Sequence, residues 1–176
     1  MARPDLRHIA GQRVSNQSVD DAAASSVANP GRIRPPAVFL AAILLGVVGH
    51  VFWPVPLMPR AIGVPVGALL VIAAIWLFIG ATRAFKAAGT PVPGNQPARA
   101  VVNAGPYRFS RNPIYLAFVV FQLGLALLVN SVSLAITLLP AFGLMALVVI
   151  PREERYLLGR FPAEYAAYRG STRRWL

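Results

Sequence analysis

Four apolar runs stand out along the chain: Ala37 to Trp53, Ile62 to Ala81, Pro113 to Val129 and Ser131 to Ile150. Each is close to the ~20 residues that a helix needs to cross a hydrocarbon core about 30 Å thick. The pattern predicts an all-α polytopic membrane protein with about four spans. The first run stops at Pro54, and a short Pro-rich turn leads into the second. The third meets the fourth at Asn130-Ser131, a link so tight that 113–150 is expected to form an antiparallel helical hairpin. Pro140 lies inside the fourth run, where it has no N–H to give the helix ladder, and a kink is expected there.

The polar stretches between and beyond these runs differ in kind. Residues 1–36 carry Ser15, Asn16, Gln17, Ser18, Asp20 and Asp21 and close with Asn29-Pro30-Gly31 and Pro35-Pro36. They read as a mostly disordered tail. More than 30 residues precede the first run and no clear small-residue cleavage site follows it, so the run reads as a retained anchor rather than a signal peptide. The loop 82–112 contains Gly89, Pro91, Pro93, Gly94 and Pro97 and is not expected to be one helix. Loops of this length are often functional. In the segment 151–176, Tyr156, Leu157, Phe161, Tyr165 and Tyr168 recur at helical spacing. That predicts an amphipathic cytoplasmic helix along the membrane face, divided at Pro162.

Composition agrees with a membrane protein: 56% of the residues are hydrophobic and 13% are charged. The net charge of +11 fits either nucleic acid or a cytoplasmic membrane face, and position separates the two. All of the 17 Lys and Arg residues except Arg60 fall in the tail, the 82–112 loop or the C-terminal segment. Four spans place those three regions on one side, so the positive-inside rule puts both termini in the cytoplasm. Membrane orientation accounts for the charge, and nucleic-acid binding is not expected. There is no cysteine, and the histidines are His8 and His50 alone. A disulfide framework, a thiolate site and a histidine-rich metal centre are therefore not expected. Short loops and the lack of a retention signal suggest a bacterial inner membrane.

The residues with chemical potential cluster at the ends of the last two spans. Glu153 and Glu154 follow the fourth run directly, at a helix C-terminus where carboxylates oppose the macrodipole and need a compensating cation. Arg152 and Arg155 can fill that role, which makes the pair ordinary interface charges; a bound cationic ligand is the other reading. Arg108 and Arg111 are likewise either topology signals that snorkel to headgroups or ligand contacts, and Tyr107 and Tyr115 fit an aromatic belt. Asn112-Pro113 is more distinctive. Proline suits the first turn of a helix and asparagine before it is a strong N-cap, giving the third helix a defined, partly positive end able to receive a carboxylate or phosphate. His50 reads as an interfacial residue of the first helix.

The segments GPYRFSRNPIYLAF and EERYLLGRFPAEYAAYRG, separated by the apolar hairpin, resemble the isoprenylcysteine carboxyl methyltransferase and phospholipid methyltransferase superfamily of integral membrane enzymes. The resemblance covers Arg99 to Trp175 and implies a single membrane methyltransferase domain over 37–176. It implies transfer of a methyl group from S-adenosylmethionine to a lipophilic acceptor. The family's Gly, Tyr, Arg-His-Pro and Tyr positions fall on Gly105, Tyr107, Arg111, Asn112, Pro113 and Tyr115. Its acidic pair falls on Glu153 and Glu154, and its cofactor-contacting backbone segment near Arg99, Val101 and Val102. This chain departs from the pattern at Asn112, where many members have histidine, and at Ala117, near the place where a glycine often stands. Asparagine can position a ligand but cannot act as a general base near neutral pH.

The physics of the cofactor is compatible with these residues. Glu153 or Glu154 can receive the ammonium, Arg111 and the Asn112 helix end the carboxylate, and Tyr107 and Tyr115 the adenine or the sulfonium. Methyl transfer from an activated donor needs positioning and desolvation and no metal or covalent intermediate. No catalytic base is assigned, and Arg152 is a candidate to steer an anionic acceptor. That acceptor is a prenylated or similar carboxylate, which needs no base, or a lipid amine, which must lose a proton. Rival readings are a nicotinamide-dependent membrane reductase of the sterol-reductase type and a non-enzymatic membrane scaffold or transport component.

Overall fold

A computed structural model describes residues 34–91 and 98–176. The expected disordered tail before Arg34, and Pro93, Gly94 and Pro97 of the loop, lie outside the described residues. Within them the chain is helical: α1 (Pro35–Phe52), α2 (Arg60–Ala87), α3 (Pro113–Val129), α4 (Val132–Leu144), α5 (Ile150–Arg160) and α6 (Pro162–Ser171). A 3-10 turn covers Gly105–Arg108, and a π turn over Met145–Val149 joins α4 to α5. Among the described residues three helical rods are long and apolar enough to cross a membrane: α1, α2 and the continuous Val132–Arg160. The 17 residues of α3 are the shorter fourth apolar helix, about 26 Å at 1.5 Å per residue.

The ends of these helices refine the expected boundaries. Helix α1 begins at Pro35 rather than Ala37, because the two prolines occupy its first turn, where a missing N–H costs nothing. Helix α2 runs to Ala87 instead of stopping at Ala81. Nothing between Thr82 and Ala87 breaks a helix, and the Thr82 hydroxyl bonds back to the carbonyls of Phe78 and Ile79, both at 3.0 Å. The stop is Gly89, at φ +62, where Gly89 N donates to Lys86 O (3.1 Å) and Thr90 N to Phe85 O (3.2 Å). This is the reversed bonding of a left-handed C-terminal cap. The fourth span does not end at Ile150 either. Ile150 N reaches back to Met145 O, and this wide turn opens the ladder just before Pro151, which has no N–H to contribute. The break expected at Pro162 is present: α5 ends at Arg160 and α6 starts at Pro162.

The predicted hairpin is formed through Asn130, which takes the left-handed conformation (φ 59, ψ 53) usually left to glycine. Its Oδ1 accepts from Leu57 N (2.8 Å) and Met58 N (3.1 Å), pinning the α1–α2 connection to the hairpin turn. Ser131 then caps α4, accepting from Leu134 N at 3.3 Å. Alternating helix directions bring the start of α1, the end of α2, the start of α3 and the α4–α5 continuation to the opposite end of the bundle, where α6 also packs.

Helices in lipid gain nothing from excluding water from one another, so close backbone approach and polar contacts hold them together. A Cβ on Gly67 would lie 2.8 Å from Gly124 O, and one on Gly124 would lie 2.9 Å from Gly67 O, so α2 and α3 touch backbone to backbone. Gly46 lies as close to Leu134 of α4. The outer surfaces are apolar to a degree water does not tolerate: Leu69 is 66% exposed, Trp76 67% and Leu147 78%. Those faces belong against acyl chains, and the protein is an integral membrane protein.

The glycine contact yields a test. Gly124→Val forces a branched side chain against the backbone of α2 and is expected to destabilise the bundle by about 2 kcal/mol, read as a lower unfolding midpoint in detergent. Gly143→Ala, where no atom beyond the helix's own neighbouring backbone lies within 4 Å of the added carbon, should leave that midpoint unchanged or slightly raised.

Candidate functional site

The site is assembled where the 3-10 turn, the start of α3, helix α5 and helix α6 converge. Gly105, at φ +58, turns the chain so that Tyr107 enters the bundle, where it is buried and packs edge-on against Phe85 of α2 (5.2 Å, 86°). Val101 and Val102 are buried in the same cluster, with Tyr165 and Tyr168 of α6 closing it. Tyr168 Oη donates to Tyr107 O at 2.8 Å, tying α6 to the turn. Burial raises the hydroxyl pKa of all three tyrosines. For Tyr107 the neighbouring Tyr168 and Glu153 add to that; for Tyr165, Glu154 adds and Arg111 opposes. These phenols stay protonated at physiological pH and are not phenolate bases; Tyr168 Oη donates to Tyr107 O, whereas the Tyr165 hydroxyl accepts from the Arg111 side chain.

The two glutamates differ sharply although they are adjacent. Glu153 Oε1 accepts a 2.7 Å hydrogen bond from Tyr115 Oη. Glu154 is held by the fork of Arg174, with Nη2 2.6 Å from Oε2 and Nε 3.1 Å from Oε1, and Arg111 Nη2 lies 3.5 Å from the same Oε1. Consecutive residues on an α-helix point about 100° apart, so one carboxylate meets α3 and the other the two arginines. The expected neutralisation by Arg152 and Arg155 is not what forms. Arg155 Nε instead donates to Pro151 O of its own helix, and the cations on Glu154 come from positions 43 residues before it and 20 after.

Asn112 also departs from expectation. It precedes Pro113 at the helix start, but its side chain makes no capping bond. Its Nδ2 donates to Arg174 O (3.0 Å), joined there by Ser110 Oγ (3.4 Å), while Arg111 N donates to Arg173 O (2.9 Å). Three successive residues before α3 thus clamp the chain after α6, a tertiary demand that overrides the local capping preference.

A cavity of ≈180 Å³ lies among these elements. Of the residues singled out from sequence, Val101, Val102, Tyr107, Arg111, Asn112, Tyr115, Glu153 and Glu154 border it; Arg99, Pro113 and Arg152 do not. Arg99 is exposed, and its backbone N–H bonds Thr90 Oγ1 at 2.9 Å; Pro113 is buried behind the lining. Residues not anticipated for the site are Tyr165, Tyr168, Leu157, Phe85, Phe78, Phe118 and the Pro35-Pro36 start of α1. The Tyr-Ala-Ala-Tyr spacing marks the buried face of α6, but no sequence signal links α1 to this end. The cavity has a polar wall of Arg111, Tyr115 and the glutamates and an apolar wall of Val101, Val102, Phe85 and Leu157.

The Arg111 side chain is 9% exposed, and its Nε and Nη1 are buried without a hydrogen-bond partner. Unpaired buried donors on a charged group are costly and rare. Beside the cavity, they are donors that could receive an anion. Sharing Pro36, Phe78 and Phe118 with this cavity is a second space of ≈290 Å³, an apolar groove with α3 as its floor and α1 and α2 as its walls.

An apolar helical bundle with a partly polar cavity at one end describes a membrane protein whose candidate site lies near one face of the bilayer. The family model for phospholipid methyltransferase matches residues 62–164, and the chain belongs to that family of membrane methyltransferases. It is also 40% identical over 68 residues to the cobalt-zinc-cadmium resistance protein CzcN of Cupriavidus metallidurans. That alignment takes in 38% of this chain and 32% of CzcN, so the chain spans about a third of the length of this curated relative. No solved structure matches.

The unequal settings of the glutamates predict unequal costs of neutralising them. Glu154→Gln leaves two cations facing each other and should destabilise by about 2 kcal/mol, a buried-pair loss discounted because Arg174 is partly exposed. Glu153→Gln weakens one hydrogen bond and should cost about 1 kcal/mol or less. Unfolding of the two variants side by side in detergent reads the difference.

Proposed function

We propose that the protein transfers a methyl group from S-adenosylmethionine to a lipophilic acceptor at the cytoplasmic face of a bacterial inner membrane, with both termini in the cytoplasm. The observation that carries this reading is the buried Arg111 guanidinium, whose Nε and Nη1 lack partners beside the cavity. The amino-acid end of the cofactor offers a carboxylate for that arginine and an ammonium for a carboxylate of the protein. Glu153 is the acceptor of choice, since Tyr115 uses only part of its capacity while Glu154 is engaged by two arginines. The apolar wall of Val101, Val102, Phe85 and Leu157 suits an adenine ring.

When bound, the cofactor supplies a methyl group on sulfonium, activated for in-line displacement. The chain's own part is to fix the donor between Arg111 and Glu153, exclude water with the Tyr107, Tyr165 and Tyr168 cluster, and admit the acceptor. Asn112 takes no proton: its amide is bound to the Arg174 carbonyl. A lipophilic acceptor is supported by the apolar groove that adjoins the cavity through Phe78 and Phe118. Arg152 does not border the cavity, so a steering role for it would act outside the site.

Calorimetric titration of detergent-solubilised protein with S-adenosylhomocysteine tests the reading. Wild type should bind, and Arg111→Gln should bind at least about tenfold more weakly, as expected for loss of a charge-assisted bidentate contact. Stabilisation by NADPH with no response to S-adenosylhomocysteine would instead favour the reductase, and no response to either the scaffold. Incubating membranes with methyl-labelled donor and either a prenylated carboxylate or a lipid amine then identifies the acceptor by which extract gains label.

A further inference from the structure

Arg174 lies outside the cavity lining, yet the geometry points to it as a positioning residue for the methyl donor. We infer that its fork on Glu154 keeps Arg111 available to the carboxylate end of the cofactor. This rests on the donor assignment above and adds the residue that makes it work. Both oxygens of Glu154 are taken by Arg174 at 2.6 and 3.1 Å, and Arg111 reaches that carboxylate only through Nη2, at 3.5 Å, with the Tyr165 hydroxyl as a further side-chain partner of Arg111. Its Nε and Nη1 therefore remain unpaired and buried beside the cavity. Without Arg174, both oxygens of Glu154, one of them already 3.5 Å from Arg111 Nη2, are released, and a carboxylate facing one guanidinium closes a bidentate pair. Arg111 would then be spent on Glu154 and turned from the ligand. The charge changes in the same direction: Arg111, Glu154 and Arg174 together carry one net positive charge, and the pair left behind carries none.

The clamp on the chain around Arg174 supports this role. Asn112 Nδ2 and Ser110 Oγ both donate to Arg174 O, and Arg111 N donates to Arg173 O. The residues flanking and including the ligand-facing arginine thus fix the backbone that delivers its competitor for Glu154. Trp175 beyond it packs on Phe142 of α4 at 5.1 Å. Asn112 in this chain is accordingly a latch for Arg174.

Two ligands separate positioning from simple support of the fold: S-adenosylhomocysteine, and 5′-methylthioadenosine, which keeps the adenosine thioether but lacks the amino-acid end. Arg174→Gln is expected to lower affinity for the first by about tenfold, the scale of coupling within one charged network, and to change affinity for the second by less than about twofold. Equal losses for both ligands would make Arg174 a support of the fold, and no loss for either would detach it from the site; each overturns the inference. Failure of wild type to bind S-adenosylhomocysteine would instead overturn the donor assignment. Arg174→Lys, which keeps the charge without the fork, carries the same comparison if Arg174→Gln does not fold, with a loss again confined to the ligand that has the carboxylate. Asn112→Ala should weaken the same ligand selectively.

Discussion

The contact on which this end of the molecule depends is the carboxylate of Glu154 between two arginines. Arg111 comes from the segment just before α3, Glu154 from the long helix that continues the fourth span, and Arg174 from the chain after α6. These segments are far apart in sequence and one ionic centre joins them. With the Glu154 side chain only 10% exposed, an uncompensated charge there would be strongly destabilising. The fold must therefore bring the C-terminal segment back over the bundle. The clamp of Ser110, Arg111 and Asn112 on the carbonyls of Arg173 and Arg174 is the backbone counterpart of the same demand.

Upstream of that centre, the helix geometry decides what each carboxylate does. The π turn at Met145–Val149 carries the fourth span past Pro151 without a break, so Glu153 and Glu154 stand on a helix that continues the membrane rod. One residue of rotation separates a glutamate that bonds Tyr115 from one that is fully neutralised. The consequence is a cavity with one arginine short of partners and one carboxylate with acceptor capacity left. That asymmetry is the ground on which we propose a zwitterionic amino-acid end, and not a single ion, as the ligand.

Much of the bundle was legible in the sequence because membrane helices are written in uninterrupted apolar runs, and Asn130-Ser131 and Pro162 are local signals that tertiary structure did not overrule. The helix ends were less legible. Thr82 to Ala87 is helical through its own propensity beyond the apolar run, and Pro151 resembles a stop until a wide turn accommodates it. Of the site candidates, Tyr107, Arg111, Tyr115 and Glu153 border one cavity, since short-range motifs bring them to the ends of a tight hairpin. Arg99 and Arg152 do not border it, because side-chain direction is not fixed by nearness in sequence. The partners of Glu154 were illegible for a related reason: Arg152 and Arg155 are neighbours along the chain, whereas Arg111 and Arg174 are neighbours only once the C-terminal segment has folded back. Asn112 shows the same conflict, with a strong local capping preference losing to a tertiary hydrogen bond.

Photo-crosslinking of the full-length protein with methyl-labelled S-adenosylmethionine, followed by peptide mapping of the adduct, tests the central claim most directly. Label on the 98–115 or 150–168 peptides, competed away by S-adenosylhomocysteine, is the predicted result. Competed label elsewhere in the chain, or no competed label at all, would contradict the placement of the donor site around Arg111 and Glu153.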